Sequence, residues 1–141
     1  RGIQEMNVAL GGTLHYRVHM LEGKMDHRMP RHEGVTSEEI FALRHGVSLE
    51  SGGLFSKLVG GQSEVRVNSL HGQGIDRLAS DLRIEAMSED GIIEGVRANA
   101  DSFAVGVQWH AEHNPRDHEL SDGLYREFIR AASARAERKG R

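Results

Sequence analysis

A chain of 141 residues has room for one ordinary domain with its own core, and it excludes a multidomain assembly. It is 38% hydrophobic and 28% charged, with no apolar run near the ~20 residues that a bilayer crossing needs, so it reads as globular and not membrane-spanning. Lys+Arg 18 against Asp+Glu 21 gives a formal charge of -3 without a basic stripe, which argues against nucleic acid or an anionic membrane as partner and favours small ligands.

The chain has no cysteine, so disulfides, thiolate metal ligands and a cysteine nucleophile are absent within these residues. It opens on Arg1-Gly2-Ile3-Gln4, without an initiator Met or the basic start and apolar run of a signal peptide, and so reads as a piece cut or processed at its front. Glycine is frequent (17 residues) but proline is not (Pro30 and Pro115), a balance that marks tight turns and not a disordered linker.

In chain order, Ile3, Met6, Asn7 and Leu10 recur at helical spacing, and Gly11-Gly12 supplies the stop. Residues 13–16 suit a brief extended piece, and residues 17–39, which show no period, read as a long surface loop. Phe41, Leu43, Val47 and Leu49 alternate as in a half-buried strand, with Gly46 interrupting and Gly52-Gly53 ending it; a helical turn over residues 54–59 follows. Residues 63–70 alternate again and deliver polar side chains to the loop His71-Gly72-Gln73-Gly74. Residues 82–96 predict a hairpin, because Asp90-Gly91 supplies the positive φ of a tight turn. Phe103-Ala104-Val105-Gly106-Val107-Gln108-Trp109 is almost continuously apolar, the pattern of a strand buried on both faces. From Ser121 onward, Leu124, Phe128, Ile129 and Ala132 form one stripe of an amphipathic closing helix that frays at Lys139-Gly140-Arg141.

Three groups of residues could carry chemistry. His110 and Glu112 lie two apart on an extended chain, so they can share a face where a carboxylate orients an imidazole. The pair lacks a nucleophile and suits a solvated strand corner equally well. Asn68, Ser69, His71 and Gln73 are hydrogen-bonding side chains in a glycine-rich loop that lets backbone approach a ligand. His15, His19, His27, His32 and His45 are scattered through a loop-rich stretch and are read as surface composition, with no metal site assigned.

Three blocks, Arg1-Gly2-Ile3-Gln4-Glu5-Met6-Asn7-Val8-Ala9-Leu10-Gly11-Gly12, Val67-Asn68-Ser69-Leu70-His71-Gly72-Gln73-Gly74 and Gly106-Val107-Gln108-Trp109-His110-Ala111-Glu112, follow one another in the order of a known family. The chain resembles the γ-glutamyl-γ-aminobutyrate hydrolases of the class I glutamine amidotransferase-like superfamily over nearly its whole length. The resemblance implies an α/β fold, three-layer αβα with a central mostly parallel sheet, of which residues 1–141 would be the C-terminal portion of one domain. It also implies that the family's nucleophilic cysteine stands immediately before Arg1, on an elbow whose helix dipole lowers the thiol pKa.

Carried over residue by residue, the resemblance makes His110 the general base and Glu112 the group that orients it. The Arg1 backbone N–H becomes an oxyanion-hole donor, Gly2 the close turn, Gln4 a contact to the glutamyl group, and Asn68, Ser69, His71 and Gln73 pocket residues. It implies hydrolysis of small γ-glutamyl amides through a γ-glutamyl thioester, no metal or organic cofactor, a cytoplasmic setting and putrescine breakdown as the pathway. The partners would be the substrate and an N-terminal half bearing the cysteine, without nucleic acid or membrane; a homodimer is left open. One departure is Ala111, where the family usually has proline, so the His110–Glu112 register is expected to be less stiff. Two other readings stay open: a glutaminase subunit that passes ammonia to a synthase, and a non-catalytic fragment that binds γ-glutamyl ligands. The isolated chain is expected to be unstable, because its 103–109 strand needs neighbours on both faces.

Overall fold

The structure is a computed structural model that describes residues 1–100 and 103–140. Helix α1 (Gly2–Ala9) opens the chain, and Gly11, at φ +93°, takes the left-handed conformation that ends it. Asn7 is fully buried and ties the helix to the body: its carboxamide donates to Thr13 O and Arg77 O, both at 3.1 Å, and accepts from Ala79 N at 2.8 Å. Gly12 is required beside it, since a Cβ there would lie 2.3 Å from the Asn7 amide.

Strand β1 (Leu14–His15) is the brief extended piece expected, whereas the segment after it is not a surface loop throughout. It contains a 3-10 turn (Val18–Met20) and helix α2 (Ser37–Phe41), whose Thr36 and Glu39 form a reciprocal capping box. Val18 and His27 are buried, so this aperiodic stretch has inward anchors that no repeat reveals. Phe41 and Leu43 precede strand β2 (His45–Leu49), which is shorter than the alternation predicts because Phe41 ends α2. Helix α3 (Leu54–Leu58), β3 (Glu64–Val67), β4 (Gly74–Ile75), β5 (Leu82–Ser88) and β6 (Ile93–Ala98) follow. The predicted hairpin is β5–β6, closed by Ser88 N–H on Ile92 O at 2.9 Å, with Gly91 at φ +79°.

The strands make one sheet in the order β1-β4-β6-β5-β2-β3, and β7 (Val105–Val107) pairs β6 beside β4. Among the described residues every pairing is antiparallel, so the mostly parallel sheet expected is not found here. A short link accounts for it at β5 and β6, which are joined by a turn where a parallel pair would need a crossover of about a dozen residues or more.

Two cores sit on opposite faces of the sheet, giving helix, sheet and helix layers. On one face Ile3 of α1 packs with Ile75, Leu82 and Val96. On the other, Phe55, Trp109, Leu120 and Leu124 meet Val47 and Ala86. Glycines set both contacts: a Cβ on Gly106 of β7 would press on Ile3 at 3.0 Å, and one on Gly95 of β6 would lie 2.6 Å from the Phe55 ring. Glu85, buried at a register shift in β5, accepts from Phe55 N at 3.0 Å and from Arg97 Nε at 2.8 Å, so it caps the start of α3.

Two further sequence expectations change. The 103–109 run is a three-residue strand, half-buried and paired on one edge among the described residues, while its end, Gln108 and Trp109, is buried. The closing helix α4 (Glu119–Lys139) packs through Leu120 and Leu124, but Phe128 and Ile129 of the same stripe stand 55% and 61% exposed. Of its frayed end, Arg141 lies outside the described residues.

Candidate functional site

Strand β7 runs into Gln108-Trp109-His110, and the buried Trp109 indole, edge-on to Phe55 at 6.1 Å, anchors the chain where it leaves the sheet. His110 follows at the surface. Its backbone is held from both sides by Asn68 at the end of β3: His110 N–H donates to Asn68 Oδ1 at 2.8 Å, and Asn68 Nδ2 donates to His110 O at 3.1 Å. The turn after His110 brings Glu112 Oε1 to 2.6 Å from His110 Nδ1. A carboxylate at that distance accepts from Nδ1–H and leaves Nε2 as the nitrogen available for proton transfer. The Phe41 ring meets the imidazole edge-on at 5.8 Å and stacks on His113 at 4.2 Å, walling one side of the pair. Desolvation is the largest single influence on Glu112 and pushes its carboxyl up, but the hydrogen bond from His110, a backbone hydrogen bond and the charges of His110 and His113 together hold it below its ordinary value.

His110 borders a cleft of about 720 Å³ between the start of α1 and the 70–73 loop. Arg1, Gln4, His71, Gln73 and Gln108 line it. Gln4, one turn into α1 and 8% exposed, donates through Nε2 to Gln73 O and to Gln108 Oε1, each at 3.1 Å. One amide therefore fixes helix, loop and strand end together. Arg1 lines the cleft just ahead of α1, and its guanidinium turns outward to Glu5 at 2.7 Å. On its other side His110 borders a smaller cleft of about 350 Å³, with Leu43, Glu64 and Glu119.

Of the residues singled out from the sequence, Arg1, Gln4, His71, Gln73 and His110 thus meet at one cleft, Glu112 is reached through His110, and Gly2, which starts α1, does not line it. Asn68 and Ser69 do not line it. Asn68 carries the His110 backbone, and Ser69, 1% exposed, donates through Oγ to His27 O at 2.9 Å.

The scattered histidines are not all surface composition. His27, His45 and His71 converge behind the cleft on Glu94 of β6, which is wholly buried. An acid inside the apolar run Ile92-Ile93-Glu94-Gly95-Val96 is the available signal, because a charge in a buried strand needs partners. Burial pushes the Glu94 carboxyl up, but the facing imidazoles override it and hold it well below the carboxylate range.

The family model for peptidase C26 matches residues 1–112. The chain belongs to the peptidase C26 family. It is 42% identical over 135 residues to the gamma-glutamyl-gamma-aminobutyrate hydrolase of Escherichia coli, covering 93% of this chain and 51% of that protein. The chain spans about half the length of the curated relatives it matches. Among solved structures it is similar to a candidate GMP synthase component from Thermoplasma acidophilum, at TM-score 0.62 and 18% identity, covering 98% of this chain and 57% of that one. It is also similar to a glutamine amidotransferase from Thermotoga maritima, at TM-score 0.52 and 20% identity, covering 97% and 46%. The fold is therefore the α/β fold of the class I glutamine amidotransferases. No helix among the described residues is long and apolar enough to cross a membrane.

Proposed function

We propose that this peptidase C26 chain carries the proton-transfer side of a cysteine-dependent γ-glutamyl amide hydrolase. The carrying observation is the His110–Glu112 pair, 2.6 Å apart at the mouth of a cleft that the start of α1 and Gln4 close from the opposite side. The kinship with the Escherichia coli gamma-glutamyl-gamma-aminobutyrate hydrolase supports the substrate class.

In this reading the thiol comes from a cysteine on a segment preceding Arg1, since these residues hold none. The start of α1 favours the thiolate through its partial positive charge. The thiolate attacks the γ-carbonyl carbon of the substrate, and the negative charge passing to the oxygen is met by backbone N–H groups at the helix start, that of Arg1 among them. Protonated His110 gives its Nε2 proton to the departing amine as the C–N bond breaks, leaving a γ-glutamyl thioester. Neutral His110 then takes a proton from water at Nε2; the hydroxide attacks the thioester and the C–S bond breaks. Glutamate leaves, and the returned thiolate and imidazolium restore the starting state. Glu112 holds the ring with Nδ1 protonated and stabilises the cationic form in both steps. Gln4 and the 70–73 loop contact the glutamyl end.

A second reading, glutamine hydrolysis that feeds ammonia to a synthase, is favoured by the glutamine amidotransferase fold. Release of glutamate by the full-length protein from γ-glutamyl-γ-aminobutyrate and from glutamine separates the two. Preference for γ-glutamyl-γ-aminobutyrate supports free hydrolysis. Preference for glutamine, rising with an added synthase partner, supports the second reading, and release from neither substrate sinks both.

A further inference from the structure

Behind the cleft wall, three histidines face one carboxylate, and their hydrogen-bonding leaves a place for a cation. His71 Nδ1 lies 2.7 Å from Gln73 O, and His45 Nδ1 lies 3.1 Å from Gly46 O. A carbonyl oxygen only accepts, so both Nδ1 atoms carry protons and the opposite nitrogens of the neutral rings present lone pairs. His27 Nε2 likewise donates to Asp90 Oδ2 at 2.9 Å. The three remaining nitrogens all turn toward Glu94 Oε1: His45 Nε2 at 3.1 Å, His27 Nδ1 at 3.3 Å and His71 Nε2 at 3.6 Å. His27 Nδ1 also lies 3.2 Å from Ser69 Oγ. Both Glu94 oxygens and the His45 and His71 Nε2 atoms are buried without a hydrogen-bond partner. Lone pairs and a carboxylate directed at one another in a dry interior require a positive charge among them, carried by a proton on an imidazole or by a metal ion.

The nitrogen–oxygen distances to Glu94 are those between neighbouring ligands of a metal ion. Tetrahedral zinc, with bonds of ~2.0–2.1 Å to imidazole nitrogen and carboxylate oxygen, holds its ligand atoms about 3.3 Å apart. The three nitrogen–oxygen separations bracket that value. Ligand atoms of His27, His71 and Glu94 all lie within 4.8 Å of one another. The outer contacts also match, because metal-bound histidines usually donate their other ring N–H to a carboxylate or carbonyl. Here Asp90, Gln73 and Gly46 supply those acceptors.

We propose that His27, His71 and Glu94 form a buried structural site for a divalent transition ion of zinc type. The ion would bind the loop bearing His71 and the segment bearing His27 to β6, and so stiffen one wall of the cleft. It takes no part in the chemistry at the γ-carbonyl. The site stands on side-chain placement and does not depend on the hydrolase reading.

The test uses the full-length protein, stripped with a chelator and then titrated with zinc alone. The expected result is one tightly bound zinc per chain, a rise in Tm on loading, and X-ray absorption showing histidine nitrogen and carboxylate oxygen ligands at ~2.0–2.1 Å. His71→Asn and His27→Asn should weaken uptake at least ~100-fold, and Asp90→Asn, which removes an outer acceptor, about 10–100-fold. Should the ligand variants fail to fold, the absorption spectrum of the unaltered protein decides the matter alone. The proposal is overturned if the folded protein takes up no zinc at micromolar concentration. It is equally overturned if uptake survives in folded His71→Asn and is lost on replacing the exposed His32 or the half-buried His113, which would mark adventitious binding elsewhere.

Discussion

The side chain of Asn68 forms a two-point bridge to the backbone of His110, accepting from its N–H at 2.8 Å and donating to its carbonyl at 3.1 Å across 42 positions of sequence. Asn68 itself is 3% exposed. Asn68→Ala leaves both His110 groups unpaired and should cost about 1–3 kcal/mol of stability, measured by urea unfolding. In the full-length enzyme it should lower kcat for γ-glutamyl amides while KM changes little, because the imidazole moves and the glutamyl contacts remain. A rise in KM at unchanged kcat would place Asn68 among the substrate contacts instead.

Glu112 titrates below its ordinary value: desolvation pushes it up, but the His110 hydrogen bond, a backbone hydrogen bond and the neighbouring imidazole charges together outweigh that effect. A carboxyl with a depressed folded-state pKa contributes stability that is fully present above its unfolded value, near ~4.3, and is lost as pH falls through the folded value. The Tm advantage of the unaltered protein over Glu112→Gln should be largest near neutrality and vanish in acid below the folded pKa. It should stay under about 1 kcal/mol, since the carboxylate side chain is 64% exposed. Turnover should suffer far more, by at least about 10²-fold, because the amide no longer sets the ring's tautomer. A Tm difference that is constant with pH would contradict the ion-pair account.

Gly95 lets β6 pass under Phe55, where an added Cβ would sit 2.6 Å from the ring and 2.9 Å from Ala86 Cβ. Gly95→Ala should destabilise the protein by about 1–3 kcal/mol through overpacking. Combining it with Phe55→Leu should recover part of that loss, as a double-mutant cycle of thermal unfolding would show. Strict additivity would mean that the two positions do not share this contact.

Ala111 separates His110 from Glu112, and its N–H donates to no backbone acceptor among the described residues. Ala111→Pro therefore removes no backbone hydrogen bond while narrowing the unfolded ensemble. Stability should rise by about 0.4–1 kcal/mol, and the stiffer His110–Glu112 register should raise kcat modestly. A drop in Tm would show that the backbone there lies outside proline's φ range.

What is legible in the sequence follows the range of the forces involved. Helix α1, the β5–β6 hairpin and helix α4 can be read because their apolar spacing and the turn residues Gly11 and Gly91 act within a few positions. His110 and Glu112 can be read as neighbours on an extended chain. The Asn68 bridge and the Gln4 contacts join residues 42, 69 and 104 positions apart, so no local pattern could announce them. The His27–His45–His71–Glu94 cluster escapes the sequence for the same reason: its members are polar residues without a period, and only the fold makes them one group. The exposure of Phe128 and Ile129 shows the converse, a helical stripe whose outer half meets no apolar partner that buries it among the described residues.

The central claim is that His110, held by Asn68 and oriented by Glu112, moves the proton in γ-glutamyl amide hydrolysis. The direct measurement is the rate of glutamate release from γ-glutamyl-γ-aminobutyrate by the full-length protein and by its His110→Ala variant, with folding of both verified by circular dichroism. The account predicts turnover by the first and a loss of at least about 10²-fold in the second. Equal turnover by the two folded proteins, or no glutamate release by the unaltered one, would contradict it.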